Sequence, residues 1–214
     1  LVSVEENRHD LPVYDPFCGV GSIPQEAFLS GFNSMGSDLD EKCVAQSKEN
    51  ASKMLGKIAR KRVKRNAKLK KKGKRTLPSS VPKYFQMDVT NPKLDVLSDF
   101  DGSVVSEPDL LEPIKGYPTI HKAKKKQQKF LDQYDRFLEG LGSFLKKGQV
   151  AVMIFPQIRT NKGDRVALPI KSMLAAHSFN LCRLTVGSHS APAVFVHSWK
   201  DPIIERIIVV FKRV

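Results

Sequence analysis

The chain has 214 residues, 41% of them apolar, enough to bury one sizeable α/β core. Its formal net charge is +14, and its three cysteines, Cys18, Cys43 and Cys182, stand far apart without a CxxC pair. These features exclude a disulfide framework and a cysteine zinc site, and no apolar run is long enough to cross a membrane.

A short apolar run, Leu11 to Tyr14, predicts the first strand. It is followed by Asp15-Pro16-Phe17-Cys18-Gly19-Val20-Gly21-Ser22 and then by a helical segment, Ile23 to Ser30. Gly19 and Gly21 let the backbone turn sharply and approach a ligand closely. Ser22 is expected to cap the helix, with Gln25 as its capping-box partner, and Pro24 falls in the first turn, where a missing N–H costs nothing. A dinucleotide fingerprint would need a third glycine where Pro24 stands. Asp15 at the strand end also disfavours a pyrophosphate and suits an ammonium group.

Gly31 ends the first helix, and a second strand, Phe32 to Ser37, leads to Asp38. Asp38 lies 17 residues after Gly21, where a doubly wound fold holds ribose hydroxyls. Asp40 reads as the N-cap of a helix starting at Glu41. That helix keeps an apolar face through Val44, Ser47, Ala51, Met54, Leu55 and Ile58, and then loses it.

The charge is concentrated there. Lys57 to Arg75 holds 12 of the 36 basic residues and no acid, so the remaining 24 face 22 acids. The basicity therefore belongs to an insertion, residues 57–83, predicted as a long helix fraying into a loop through Gly73, Pro78 and Pro82. Arg60, Lys61, Arg62, Lys64, Arg65, Lys70, Lys71 and Lys72 are its candidate phosphate contacts. A nuclear-import signal or a solvated arm is the other reading of such a run. Lys124, Lys125 and Lys126 form a second basic cluster, near the start of a helix running to about Phe144.

The third strand, Tyr84 to Met87, ends in Asp88-Val89. The fourth, Gly102 to Val105, runs into Ser106-Glu107-Pro108-Asp109-Leu110. Gln149 to Gln157 is nearly all apolar, as a strand covered on both faces should be. Val166 to Ser178 reads as a helix, and Leu181 to Gly187 and Ile204 to Phe211 as closing strands with Ala193 to Trp199 between them. His189 and His197 lack partners at ligand spacing, so no metal site is predicted.

The octapeptide at Asp15 closely resembles the first motif of methyltransferases that use S-adenosylmethionine (SAM), especially those that methylate exocyclic amines of nucleic-acid bases. Over Val13 to Val214 the motif order resembles the catalytic domain of THUMP-type tRNA guanosine-N2 (guanosine-10) methyltransferases. The resemblance implies a Rossmann-like α/β methyltransferase fold: a mostly parallel seven-stranded sheet with an antiparallel final strand and a basic insertion between strands 2 and 3. It implies SAM as cofactor, held by Asp15, Pro16, Phe17, Cys18, Gly19, Gly21 and Asp38, with Asp88 accepting from the adenine amine and Val89 packing near the ring. It further implies tRNA or another structured RNA as partner, a single methyltransferase domain over residues 1–214, and an upstream THUMP-type domain or partner subunit before Leu1. Reduced cysteines and the lack of a leader-like segment predict a cytoplasmic protein, or a nuclear one if the basic run is an import signal.

The fourth motif departs from the family, which carries Asp/Asn-Pro-Pro-aromatic there. An exocyclic base amine is a weak nucleophile because its lone pair is delocalised into the ring. A side-chain acceptor and a carbonyl beside proline must aim it, while an aromatic ring stacks on the flipped base. In this chain Ser106 or Glu107 takes the acceptor place, Pro108 remains, and Asp109 replaces the aromatic, so a platform would come from elsewhere, Tyr117 or Phe155. Two alternatives stay open: a DNA adenine-N6 or cytosine-N4 methyltransferase, and a catalytically impaired methyltransferase-like module that binds RNA or a partner.

Overall fold

The computed structural model describes residues 11–59, 62–73, 76–109, 114–186, 189–197 and 202–214. Two compact units result, one taking the chain up to Val89 with Asp101–Ser106, the other Thr90–Phe100 with Glu107–Val214.

The first unit is a parallel sheet with strand order β4-β1-β2-β3, where β1 is Val13–Asp15, β2 Ser34–Asp38, β3 Lys83–Gln86 and β4 Ser103–Ser106. Tyr14 sits opposite Met35 on one side and Val104 on the other. Being central, β1 is buried along its whole length, so its sequence reads as apolar without alternation. The Tyr14 ring stacks on Phe85 at 6.1 Å, and its hydroxyl shares a 2.7 Å hydrogen bond with Ser37 Oγ.

Helix α1 spans Ser22–Leu29. Its end is a Schellman motif: Gly31, at φ 91°, donates to Phe28 O, and Phe32 N donates to Ala27 O. Helix α2, Glu41–Ala59, starts at Asp40, whose carboxylate accepts from Lys42 N at 2.8 Å. Val44 and Ala51 on α2 pack with Cys18 and Tyr84. Past Ala51 the helix holds no fully buried residue among the described side chains, matching the thinning apolar face of its sequence.

The basic insertion is helical but is not one continuous frayed helix. A separate helix, α3, covers Arg62–Lys71, with Arg60 and Lys61 outside the described residues. Asn66 of α3 accepts from the backbone of Leu77, which is buried, so the returning loop is tied to this helix.

The second unit contains α4 (Leu94–Leu97), α5 (Ile120–Phe144), β5 (Val150–Arg159), β6 (Arg165–Ala167), α6 (Ile170–Ala176), β7 (Phe179–Leu181), β8 (Arg183–Val186), β9 (His189–Pro192), β10 (Val194–His197) and β11 (Ile204–Arg213). The antiparallel final strand expected from the sequence is β11, paired with β5 from Ile204↔Ile158 to Lys212↔Val150. Short antiparallel strands extend the pattern: β6 on β5, β7 and β10 on β11, and a separate β8–β9 ribbon.

Three sequence expectations are corrected here. Residues 165–167 are strand and the helix begins only at Ile170, because Pro169 occupies the N-cap and cannot continue a helix from its N-terminal side. The strand expected over Leu181–Gly187 is divided at Cys182 between β7 and β8. Phe155 is fully buried, 4.9 Å from the Tyr134 ring and 6.4 Å from Phe211, so it is core and not a base platform. Trp199 lies outside the described residues.

Helix α5 shows why this core was readable. Phe130, Tyr134, Phe137, Leu141 and Phe144 recur every three or four residues and are all buried. Thr119 caps it, accepting from Lys122 N at 3.4 Å.

Candidate cofactor site

Parallel strands place their C-terminal ends at one edge of a sheet, and in the first unit that edge collects the predicted residues. Asp15 ends β1, Asp38 ends β2, Asp88 lies two residues past β3, and Ser106 ends β4. Between β1 and α1 the glycine turn takes the left-handed conformation twice, Gly19 at φ 52° and Gly21 at φ 87°.

Asp15 is 1% exposed. Its Oδ1 accepts from Phe17 N at 3.1 Å and from Ser106 Oγ at 2.5 Å. These bonds keep a buried carboxylate solvated by the protein at the sheet edge. Ser106 is thus a partner of Asp15, and its single hydroxyl proton is committed there. Asp38 is half-buried; its Oδ2 accepts from Gly19 N at 2.9 Å and its Oδ1 from Asp40 N at 3.0 Å. A carboxylate has about four lone-pair sites, so Asp38 has acceptor capacity beyond these two bonds. Asp88 is half-buried and Val89 is 3% exposed.

Ser22 is not the N-cap of α1. Gly21 holds that position, no side chain caps it, and Gln25 Nε2 instead donates to Gly21 O at 2.9 Å. The left-handed glycine turns the chain into the helix one residue earlier than a serine cap would.

Cys18 belongs to the turn's foundation. Its backbone N donates to Ser37 O at 2.8 Å and its side chain is buried. Burial, the largest influence, pushes the thiol up to about 12, so it stays protonated at neutral pH and is no nucleophile. Beneath it lies Gly36, whose role the sequence did not reveal. A Cβ there would stand 2.7 Å from Cys18 Cβ and 2.9 Å from Pro24 Cγ. The available signal was a glycine inside a strand, which often marks close backbone approach. Gly36→Ala is expected to destabilise the chain by about 2 kcal/mol, the scale of overpacking. Urea unfolding tests this, and an unchanged midpoint would show that the turn yields freely.

The carbonyls of the turn are also held. Ser47 Oγ donates to Gly19 O at 2.8 Å, Asn50 Nδ2 to Val20 O at 3.0 Å, and Tyr84 Oη to Gly21 O at 3.4 Å.

The fourth-motif residues after Ser106 fall in the second unit. Pro108 is buried, Asp109 is exposed, and Glu107 is half-buried. Glu107 Oε1 accepts from Arg206 Nε at 2.6 Å, a pair 99 residues apart in sequence. Tyr117 is 42% exposed, with the Arg159 guanidinium 5.8 Å from its ring centroid.

Of the basic candidates, Lys64, Lys70, Lys71 and Lys72 are exposed on α3 or just past it. Arg62 and Arg65 lie in α3, with side chains outside the described set, as are Arg60 and Lys61 entirely. On α5, Lys124 and Lys125 are exposed, whereas Lys126 is half-buried with its ammonium 5.9 Å from the Phe130 ring. Among the described residues no cluster of three His, Cys, Asp or Glu side chains could hold a metal ion, and no helix is long and apolar enough to cross a membrane.

No protein-family model matches the sequence, and no curated protein does. Solved structures do match. A SAM-dependent methyltransferase from Methanosarcina mazei superposes with a TM-score of 0.57 at 12% identity, covering 97% of this chain and 94% of its own. Magnesium protoporphyrin IX methyltransferase from Synechocystis, with bound SAM, gives 0.55 at 16% identity over 96% of this chain and 71% of its own. A TehB-like SAM-dependent methyltransferase from Corynebacterium glutamicum gives 0.51 at 15% identity over 97% and 82%. The chain has the Rossmann-like methyltransferase fold. In that fold the acids and the glycine turn stand outside the carboxyl ends of parallel strands, where open α/β sheets bind ligands.

Proposed function

We propose that this chain is a SAM-dependent methyltransferase acting on the exocyclic N2 amine of a guanosine in tRNA. The observation that carries the reading is the set of three acids, Asp15, Asp38 and Asp88, gathered with the left-handed glycine turn at one sheet edge. The residue set fits SAM: a buried carboxylate for an ammonium, a second acid with lone pairs left for ribose hydroxyls, and a left-handed glycine turn that lets the backbone come close to the ligand. The SAM-bound structure that this fold resembles adds support.

When bound, SAM supplies a methyl group on an electrophilic sulfonium. The chain's own residues bind and aim the substrate. Glu107, one peptide bond beyond Ser106, accepts a hydrogen bond from the base amine, and Arg206 fixes the carboxylate's orientation. Pro108 stiffens the backbone so that a neighbouring carbonyl faces the same amine. The exposed lysines of α3 and of the α5 start supply sequence-independent attraction to phosphates.

A second reading is favoured by two specific observations. Asp109 stands where the stacking ring is expected, and the Glu107 carboxylate is already bound by Arg206. Both suit a catalytically impaired RNA- or partner-binding module. Transfer of labelled methyl from SAM to tRNA and to duplex DNA separates the readings. Label in N2-methylguanosine of tRNA supports the proposal, label in DNA redirects it to adenine-N6 or cytosine-N4 chemistry, and cofactor binding without transfer selects the module.

The basic arm has its own test. Neutralising six residues, including Lys64, Lys68, Lys70, Lys71 and Lys72, should flatten the salt dependence of RNA binding by roughly 0.7–0.9 log units for each phosphate that is no longer neutralised. An unchanged slope would make the arm a solvated surface or a targeting signal.

A further inference from the structure

We propose that Ser47 and Asn50, on one face of α2, are positioning residues that set the donor geometry of the glycine turn; this rests on the SAM reading above. The turn exposes three successive carbonyls, and side chains from three elements take them. Ser47 Oγ holds Gly19 O at 2.8 Å and Asn50 Nδ2 holds Val20 O at 3.0 Å. Gln25 Nε2 of α1 and Tyr84 Oη of β3 hold Gly21 O at 2.9 and 3.4 Å.

A trans peptide is planar, so its C=O and the next N–H point in opposite directions. Anchoring Gly19 O on Ser47 therefore turns the Val20 N–H away from α2. Anchoring Gly21 O on Gln25 and Tyr84 turns the Ser22 N–H away from those two side chains. Asn50, with Gln25 Nε2 at 3.4 Å from the same Val20 oxygen, holds the Val20–Gly21 peptide between these two. The N–H of that peptide closes the turn by donating to Cys18 O at 2.7 Å, so Asn50 acts on the ligand donors through the shape of the closed turn. Glycines at φ 52° and 87° have no side chain to hold these planes, and Gly19 has open space around its Cα. The one backbone bond, Gly21 N to Cys18 O, closes the turn from inside, and α2 adds side-chain anchors from outside. Ser47 is fully buried, wedged between the turn and Cys18 Sγ at 3.7 Å, whereas Asn50 is half-buried. Their spacing of three residues puts both on the face of α2 that meets the turn. A turn held this way meets its ligand in the binding conformation and avoids the cost of ordering itself on association.

Calorimetric titration of SAM into the wild type, Ser47→Ala, Asn50→Asp and Asn50→Gln, with an unfolding curve for each, tests the proposal. Asn50→Asp keeps the shape and removes the donor on a half-buried side chain, so it decides the matter even if Ser47→Ala folds poorly. Each donor-deleting variant should bind SAM about fivefold to tenfold more weakly, the scale of one hydrogen bond. Asn50→Asp should do so without a matching loss of stability, and Asn50→Gln, which keeps an amide donor, should recover most of the affinity. Unchanged affinity in Ser47→Ala and Asn50→Asp, beside a wild type that binds, overturns the proposal alone. Affinity that falls only in step with stability also overturns it. A folded wild type that binds no SAM removes the cofactor reading itself, a result distinct from both.

Discussion

Replacing Asp38 by alanine is expected to weaken SAM binding about 100-fold, because hydrogen bonds to a charged group contribute about 1.5–3 kcal/mol each and tenfold in affinity is about 1.4 kcal/mol. Asp38 acts in two ways. In the proposed site it accepts from ribose hydroxyls, and its Oδ2 anchors the Gly19 amide at 2.9 Å. Alanine removes both, so the turn loosens as the ribose loses its acceptor. The Asp38→Asn variant keeps one acceptor oxygen and should fall between wild type and alanine. Calorimetry on folded protein measures this, and an alanine variant within about twofold of wild type would remove Asp38 from the site.

Glu107→Ala is expected to lower methyl transfer to tRNA by about two orders of magnitude, the usual worth of one positioned acid or base, with SAM affinity within about twofold of wild type. The base amine needs an acceptor to localise its lone pair. Ser106 spends its one proton on the buried Asp15 carboxylate at 2.5 Å, which leaves its oxygen able to accept but ties its position to Asp15. The Arg206 contact at 2.6 Å gives the Glu107 carboxylate one orientation. Single-turnover transfer with saturating SAM isolates the step. Equal rates in wild type and variant would move the orienting role to Ser106 or to a backbone carbonyl beside Pro108.

The parts of this molecule legible in the sequence were those set by local rules. Strands covered on both faces need continuous apolar runs, so Leu11 to Tyr14 and the run that forms β5 stood out. Helix α5 repeats its aromatic residues at helical spacing. The glycine turn and the acids at successive strand ends also declare themselves locally, because each sits at a strand-to-helix junction. What stayed hidden depends on contacts between distant residues. Nothing near Gly36 announces that Cys18 and Pro24 will press against it. Ser47 reads as a small residue on the inward face of α2 and Asn50 as an ordinary polar one, and nothing local says that the turn, some 28 to 30 residues earlier, docks on both. The Glu107–Arg206 pair spans 99 residues. The serine cap failed for a related reason: a left-handed Gly21 can start the helix alone, and local pattern favoured Ser22. Over Val166 to Ser178 the apolar spacing read as one helix, whereas Pro169 lets the helix start only at Ile170 and leaves the residues before it to pair as β6.

The most direct test is an amide chemical-shift map of the isotope-labelled chain during a SAM titration. Saturable shifts should concentrate at Phe17 to Ser22, at Asp38 to Asp40 and at Asp88 and Val89, with smaller effects at the Ser47 and Asn50 amides of α2. A folded protein whose spectrum does not respond to millimolar SAM, or whose shifts cluster away from this sheet edge, would contradict the SAM reading.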